Sequence, residues 1–168
     1  MNGHLKPFAE YLALSAQPAG KPAIWRKPDV EAALAAQPHS QERLTRAMAL
    51  TRTDAPDAFS LNESISLMVQ ALGPGERGRS HSHSFWHLYF VLKGQGVSVI
   101  GDERITWSAG DSFYVPAWTE HDLQNLSQDE DAIVYSAQNL PQHAFGGTLM
   151  RKEADGGFTH VTSDGDGR

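Results

Sequence analysis

The chain of 168 residues contains no cysteine. This absence excludes disulfide bonds, thiolate metal ligands, iron–sulfur clusters and a cysteine nucleophile, and it favours a cytoplasmic location, where disulfides are rare. No apolar run reaches the length of a membrane span, and we expect no signal peptide, because the first ten residues lack an apolar core. Acidic residues outnumber basic ones, 20 against 14, and the net charge of -6 argues against nucleic-acid and membrane partners.

The residues that are present suit one ordinary globular domain, with 40% hydrophobic and 20% charged side chains. Residues 1–58 begin with a Pro- and Ala-rich stretch, and we expect them to form an N-terminal arm and helix that pack on the rest of the chain. The helix is predicted from Asp29 to Gln37, with Asp29 as its cap and Pro38 as its end. Residues 40–50 suit either a helix or a strand.

From residue 59 the sequence alternates between apolar and polar residues with a period of two, which is typical of strands. Turn signals separate six or seven such segments, among them a hairpin through Gly101-Asp102 and a strand from Ser112 to Val115. This spacing predicts an antiparallel sandwich or barrel over residues 59–145, in a chain that is all-β apart from one short helix. The end of the chain is rich in glycine and aspartate, and we expect residues 146–168 to form a flexible C-terminal tail.

Three histidines stand in the part of the chain that is predicted to be sheet. His81 and His83 are two residues apart, and residues at that spacing on a strand point to the same face, so both imidazoles can aim at one point. His121 follows a later predicted strand, and closing a barrel can bring it opposite the pair. The spacing therefore indicates a three-imidazole metal site inside a small β-barrel, with scattered surface histidines as the alternative.

Two segments of the sequence resemble a known family. They run Gly75-x5-His81-x-His83-x3-His87-x6-Gly94 and Gly110-x5-Pro116-x4-His121-x3-Asn125. Both are similar to the paired motifs of the cupin superfamily, and the resemblance covers about residues 60–138. It implies a single jelly-roll β-barrel in which His81, His83 and His121 hold a metal ion. Two positions depart from the family pattern, because Trp118 stands where a glycine is usual and His87 stands where a glutamate is usual.

A closer resemblance is to the N-terminal, metal-bearing half of gentisate 1,2-dioxygenases. It rests on four stretches: Ile24-Trp25-Arg26, Phe90 to Gly96, Pro116 to Asp122, and Asn139-Leu140-Pro141. The resemblance implies that residues 40–50 form a strand, that the metal is Fe(II), and that dioxygen opens the ring of an aromatic diol or hydroxy acid. Those enzymes are usually two fused cupins, whereas this sequence shows one.

Two substitutions within the resemblance bear on the substrate. Those enzymes tend to carry an arginine for the substrate carboxylate at position 89 and a second histidine at position 123, and this chain has Tyr89 and Leu123. A tyrosine lacks the planar cationic fork that binds carboxylates, and it offers one hydroxyl to a neutral oxygen instead. The change predicts a neutral aromatic substrate, such as the substrate of hydroquinone 1,2-dioxygenases. Some of those enzymes pair a small single-cupin subunit with a larger one, and this chain has the size of such a small subunit.

Roles for the remaining candidates follow from their positions in the predicted strands and loops and, for Tyr89, from the resemblance. His87 is interpreted as a catalytic proton-transfer group, as a fourth ligand in place of the glutamate, or as a hydrogen-bonded histidine of the barrel lining. Tyr89 is predicted to be catalytic and to contact the substrate. Trp118 lies next to His121, and it is interpreted either as substrate-binding or as packing. Trp107 and Phe113 are expected in the core.

We therefore expect a non-haem Fe(II) dioxygenase that uses dioxygen to cleave a hydroquinone- or gentisate-like aromatic ring. Mn, Ni and Zn are the alternative ions, because residue type alone does not select among them. The alternative function is a non-catalytic small cupin subunit of a two-subunit hydroquinone dioxygenase, and a metal-binding cupin of other activity is a third. The expected assembly is a homodimer or a hetero-oligomer with a larger cupin subunit.

Overall fold

The computed structural model describes residues 20–37, 46–52, 61–154 and 156–160, together with the single positions 7, 9 and 54. The regular elements of the described residues are mainly strands, as predicted, and neither of the helices below has the length and hydropathy that a membrane-spanning helix needs. In chain order the elements are α1 (Lys27–Ala35), β1 (Ala47–Ala49), β2 (Ser66–Leu72), β3 (His81–His83), β4 (His87–Lys93), β5 (Gln95–Ile100), β6 (Glu103–Ser108), β7 (Ser112–Val115), β8 (Gln124–Asn125), β9 (Ala132–Gln138), α2 (Leu140–Phe145), β10 (Met150–Glu153) and β11 (Phe158–His160).

The strands form two layers, as a jelly-roll barrel requires. One layer is a five-stranded sheet with the order β1-β2-β9-β4-β7. The other consists of two three-stranded sheets, β11-β10-β3 and β6-β5-β8. His121 joins these two sheets, because it forms single bridges with His81 on β3 and with Ile100 on β5. The expected all-β jelly-roll barrel is confirmed.

The space between the layers holds an apolar core. Its buried members come from both layers: Leu72, Tyr89, Val91, Trp107, Val115, Leu123, Ala132 and Val134. Trp107 is buried and its indole N–H donates to the hydroxyl of Ser98 at 3.0 Å, so its only polar atom is satisfied. Phe113 packs against the same cluster, so both aromatic residues that were expected in the core lie there.

A second apolar cluster fastens α1 to the outer face of the five-stranded sheet. Val30 and Leu34 of the helix pack with Val69, Ala71 and Ile133 of strands β2 and β9. Side chains alternate along a strand, so Val69 and Ala71 face the helix while Leu72 faces the interior of the barrel. The helix thus packs on the outer face of the barrel.

The start of α1 differs from the prediction. The helix begins at Lys27 with Arg26 as its N-cap, no side chain caps it, and Asp29 lies in the first turn instead. Pro28 explains the shift, since proline fits the first turn, where its missing N–H has no helical partner. Pro38 lies outside the described residues.

Residues 47–49 form β1, which agrees with the strand that the family resemblance implies for this region. The strand pairs with β2 through Met48 and Val69. Positions 40–45 of the same predicted segment lie outside the described residues.

The expectation of a flexible tail over residues 146–168 is wrong for its first half. Met150–Glu153 form β10, which pairs antiparallel with the histidine strand β3 on one side and with β11 on the other. Sequence alternation does not reveal this strand, because three of its four residues are charged. The remaining part, residues 161–168, lies outside the described residues.

Candidate metal centre

Three of the predicted site residues come together where β3 meets the segment before β8. His81 and His83 share one face of β3, and His121 lies beside His81 through backbone hydrogen bonds of 2.9 and 3.1 Å in the two directions. One ring nitrogen from each of the three histidines lies within 4.8 Å of the other two. Among the described residues they form the one group with this geometry, and it contains no carboxylate.

Backbone carbonyl groups fix the orientation of all three rings. The Nδ1 atoms of His81, His83 and His121 lie 2.8, 2.7 and 2.8 Å from the carbonyl oxygens of Arg79, Phe85 and Thr119, respectively. A carbonyl oxygen only accepts, so each Nδ1 carries the proton and donates it, and each Nε2 keeps its lone pair. Metal-binding histidines generally hold their second nitrogen in this way.

The lone pairs are available at neutral pH. Burial, with the charges of Arg151 and His121, lowers the pKa of His81 to about 4. Burial, with the charges of His121 and His81, lowers the pKa of His83 to about 3, and burial also lowers the pKa of His121. All three rings are therefore uncharged at pH 7, which is the form that binds metal ions.

The donor set fits a metal ion. The Nε2 atom of His121 is buried and has no hydrogen-bond partner among the described residues. A buried nitrogen without a partner carries a free-energy penalty, which coordination of an ion would remove. Three neutral imidazoles suit first-row ions such as Fe, Mn, Ni and Zn, and three protein ligands leave positions for other molecules.

Two neighbouring side chains hold the ligands in place. The ring of Phe85 stacks on His83 with 3.7 Å between centroids and 2° between planes. Asp122, next to His121, is buried and accepts hydrogen bonds from Arg77 Nε at 3.0 Å, from Arg77 Nη2 at 2.5 Å and from the Val99 N–H at 3.3 Å. These contacts fix the segment that carries His121.

His87 lies beside the three ligands but outside their group. Its Nε2 atom is 3.0 Å from Nε2 of His83. Because His83 keeps a lone pair there, His87 donates this bond through Nε2–H, and its own buried Nδ1 has no partner among the described residues. Burial, with the charges of His83 and His121, lowers the pKa of His87.

Tyr89 lies deeper in the barrel, in contact with His87. Its ring centroid is 5.0 Å from that of His87 and 4.9 Å from that of Phe113, on which it stacks. Burial raises the pKa of Tyr89, so its hydroxyl stays protonated throughout the physiological range. Tyr89 is thus a neutral phenol in the barrel interior, next to the histidine group.

The structure does not bring Trp118 into the histidine group. Its side chain is 47% exposed, and its ring lies 6.0 Å from that of Phe158. Phe158 pairs with Lys152, which pairs with Ser82, and these residues alternate with the inward-facing ones. Trp118 therefore packs on the outer face of this sheet, with the uncommon positive φ of 61°.

The sequence analysis missed two residues of the site, Arg151 and Glu153 on β10. In the antiparallel pair of β10 and β3, Arg151 lies opposite His83 and Glu153 lies opposite His81. Directly opposed residues share one face of a sheet, so both side chains lie on the face of the histidines. No pattern in the sequence marks them, because charged residues after Gly146-Gly147 are also typical of an exposed tail.

Comparisons with known proteins agree with this fold and site. Residues 68–137 match the family described as cupin domain. A 1-hydroxy-2-naphthoate 1,2-dioxygenase from Nocardioides sp. (strain KP7) is 38% identical over 87 residues, 51% of this chain and 22% of that protein. A gentisate 1,2-dioxygenase from Streptomyces sp. is 32% identical over 124 residues, 70% of this chain and 34% of that protein. The chain thus spans about a third or less of these relatives.

A solved structure extends the similarity of fold to nearly the whole chain. Salicylate 1,2-dioxygenase from Pseudaminobacter salicylatoxidans superposes with a TM-score of 0.74 over 89% of this chain and 45% of that chain. The two sequences are 18% identical, so this likeness concerns the fold alone.

Proposed function

Because this chain carries a cupin domain over residues 68–137, we propose that it is a non-haem Fe(II) dioxygenase that cleaves the ring of a hydroxylated aromatic compound. The observation that supports this proposal is the convergence of one ring nitrogen from each of three uncharged histidines within 4.8 Å. The buried Nε2 of His121 has no hydrogen-bond partner within the described part of the chain. The relatives with 32% and 38% identity are both named as 1,2-dioxygenases. The proposed substrates are hydroquinone- or gentisate-like.

His81, His83 and His121 would hold the ion, and their carbonyl-bound Nδ1 atoms keep the three rings from turning away. When bound, Fe(II) supplies the redox chemistry and the open positions for a substrate oxygen and dioxygen. Both oxygen atoms enter the product as a ring C–C bond breaks, so the overall reaction needs no further reductant. The apolar residues beneath the site keep bulk water away from it.

His87 is the proposed proton-transfer residue. Its Nε2–H points at the nitrogen of His83 that would face the ion, so it lies where a substrate hydroxyl would approach. A fourth-ligand role would require moving its proton to Nδ1, which is buried without an acceptor among the described residues. This penalty favours proton transfer over coordination.

Tyr89 is the proposed substrate contact on the side of the barrel interior, since its neutral hydroxyl can donate to a substrate oxygen. The substrate role of Trp118 stays a prediction, and its position against Phe158 favours packing.

The alternative is a non-catalytic small subunit of a two-subunit hydroquinone dioxygenase. One observation favours it: Phe90, Leu92 and Tyr114 lie on the outer face of β4 and β7 with 47%, 37% and 53% of their surface exposed. Exposed apolar side chains grouped on a sheet suit an interface with another subunit. The larger cupin that this role requires would bury this patch.

One experiment separates the two proposals. The full chain is purified anaerobically, loaded with Fe(II), and assayed for oxygen uptake with hydroquinone and with gentisate, beside a His121→Ala control. An active enzyme takes up oxygen alone, and the control does not. Inactive, metal-poor protein that becomes active only with a larger cupin subunit would support the alternative. Full metal content and equal uptake in the control would overturn the proposed site.

A further inference from the structure

Strand β10 places a guanidinium group beside the three histidines. Arg151 lies directly opposite His83 in the antiparallel pair, and its side chain is 26% exposed. At such positions the Cβ atoms are about 4.5–5.5 Å apart on the same face of the sheet. The side chain is therefore directed to the same side as the His83 imidazole.

A neighbouring carboxylate holds this guanidinium. Oε1 of Glu153 lies 2.6 Å from Nε of Arg151, in an ion pair between alternate residues of the strand. A guanidinium donates through five N–H groups in a rigid fork, so one arginine can serve more than one carboxylate at once. Glu153 thus orients Arg151 without determining what else it binds.

The charge of Arg151 reaches every ionisable group of the site. It lowers the pKa of His81 and His83 on the neighbouring strand, and it also lowers that of His87 and His121. It acts on buried Tyr89 as well, against the larger effect of burial on the pKa. These effects agree with the register of the two strands, which places the Arg151 side chain on the face of the histidines.

The site has an excess of positive charge once a divalent ion binds. The three histidines are neutral, and their group contains no carboxylate to balance the ion. Three carboxylates act on these rings: Glu153 and Asp122 are each paired with an arginine, and Glu120 is exposed and accepts a hydrogen bond from the Ser80 hydroxyl. A second cation beside a divalent ion is unfavourable unless an anion lies between them. The arrangement calls for an anionic ligand.

We propose that Arg151 is the specificity-determining residue of this site, and that its guanidinium receives the carboxylate of an aromatic acid whose ring hydroxyl binds the metal. This inference rests on the proposed function, because it assumes a metal on the histidines and an aromatic ligand on the metal. It gives the site the carboxylate-binding group that is missing at Tyr89, delivered from a different strand. Arg151 therefore predicts an anionic substrate, whereas Tyr89 alone predicts a neutral one.

A matched pair of ligands isolates the effect of the ligand's carboxylate charge on binding. Salicylate and salicylamide present the same ring hydroxyl and an adjacent carbonyl oxygen, but only salicylate is negatively charged at neutral pH. Their dissociation constants are measured by calorimetry on the Fe(II)-loaded full chain without oxygen, so that no turnover occurs. The variants are Arg151→Gln and, as matched control, Lys152→Gln, which removes a charge on the outward face of the same strand.

Wild type is expected to bind salicylate more tightly than salicylamide. Arg151→Gln is expected to lower the affinity for salicylate on the order of 10- to 100-fold, as for loss of a charge-assisted hydrogen bond. Salicylamide affinity, metal content and the Lys152→Gln control should stay close to wild type. An equal loss for both ligands, or no loss for either, would overturn the inference.

Two further outcomes are distinguishable. If Arg151→Gln fails to fold or to hold metal, Arg151→Lys takes its place, because lysine keeps the charge but lacks the planar fork. This variant should have a lower affinity for salicylate and an unchanged affinity for salicylamide. Unchanged affinity for both ligands in that variant overturns the inference. If metal-loaded wild type binds neither ligand and takes up no oxygen, the proposed function fails and the inference with it. If wild type cleaves an aromatic diol while Arg151→Gln binds salicylate normally, only the inference fails.

Discussion

The Nε2 atoms of His83 and His87 lie 3.0 Å apart, and the proton between them belongs to His87. Because the same lone pair of His83 is the one that would bind a metal ion, coordination and this hydrogen bond exclude each other. Metal binding would therefore release the N–H of His87 next to the ion. This relationship links the metal site to the proposed proton-transfer residue.

The first prediction concerns His87. The variant His87→Gln is expected to keep its Fe(II) but to lose about 10²- to 10⁴-fold in the rate of oxygen uptake, as for removal of a general acid or base. Metal content per chain and uptake with hydroquinone and gentisate measure the two effects. If the variant loses metal as completely as His121→Ala does, His87 is a ligand instead.

The second prediction concerns Gly96, where β5 meets the core. A Cβ atom at this position would lie 2.1 Å from the Trp107 ring and 2.2 Å from the Gln124 carbonyl oxygen. Gly96→Ala is expected to lower the free energy of unfolding by about 1–3 kcal/mol or more, because overpacking displaces both neighbours.

Gly157 supplies the matched control for this variant, since a Cβ there meets nothing within 4 Å. Urea unfolding should show Gly157→Ala close to wild type. Equal stability of the two variants would contradict the close approach of β5, β8 and Trp107.

The third prediction concerns the ion pair of Arg77 and Asp122. Arg77→Met leaves the buried carboxylate of Asp122 with the Val99 N–H as its one donor among the described residues. The variant is expected to destabilise the fold by about 1–3 kcal/mol. The pair of Lys93 and Glu130 is exposed and 3.8 Å apart, so Lys93→Met should cost at most about 1 kcal/mol. Thermal and chemical unfolding compare the two. A larger loss for Lys93→Met would contradict the role of Asp122.

The fourth prediction concerns β10. A chain that ends at Thr148 lacks the strand that pairs with His81 and His83. It is expected to unfold at a lower temperature and to bind Fe(II) more weakly, because β3 loses one of its neighbours and becomes an edge. Calorimetry and metal titration measure both. An unchanged metal affinity would show that β3 holds its histidines without β10.

Local patterns predicted the parts of the fold that depend on neighbouring residues. The hairpin at Gly101-Asp102 and the strand Ser112–Val115 are present as expected, because turn residues and alternation act over a few positions. The spacing of His81 and His83 placed both rings on one face for the same reason. The rings of these two residues and His121 do come together.

Features that depend on distant pairing were not predictable. The strand Met150–Glu153 carries three charged residues and has no apolar alternation, and only its pairing with β3 makes it a strand. Arg151 was therefore not predicted as a site residue, although it lies opposite the predicted ligand His83. The start of α1 was misplaced for a local reason, since the fit of Pro28 to the first turn outweighed capping by Asp29.

The most direct test of the account is the Fe(II) affinity of the full chain beside that of His121→Ala, measured without oxygen. The account predicts one tightly bound ion per wild-type chain. In the variant it predicts a large loss of Fe(II) affinity. Removal of a hydrogen-bond partner of a metal ligand typically lowers affinity by roughly 10- to 100-fold, and loss of the ligand itself should lower it further. Equal affinity in the two proteins would contradict a metal centre built from His81, His83 and His121.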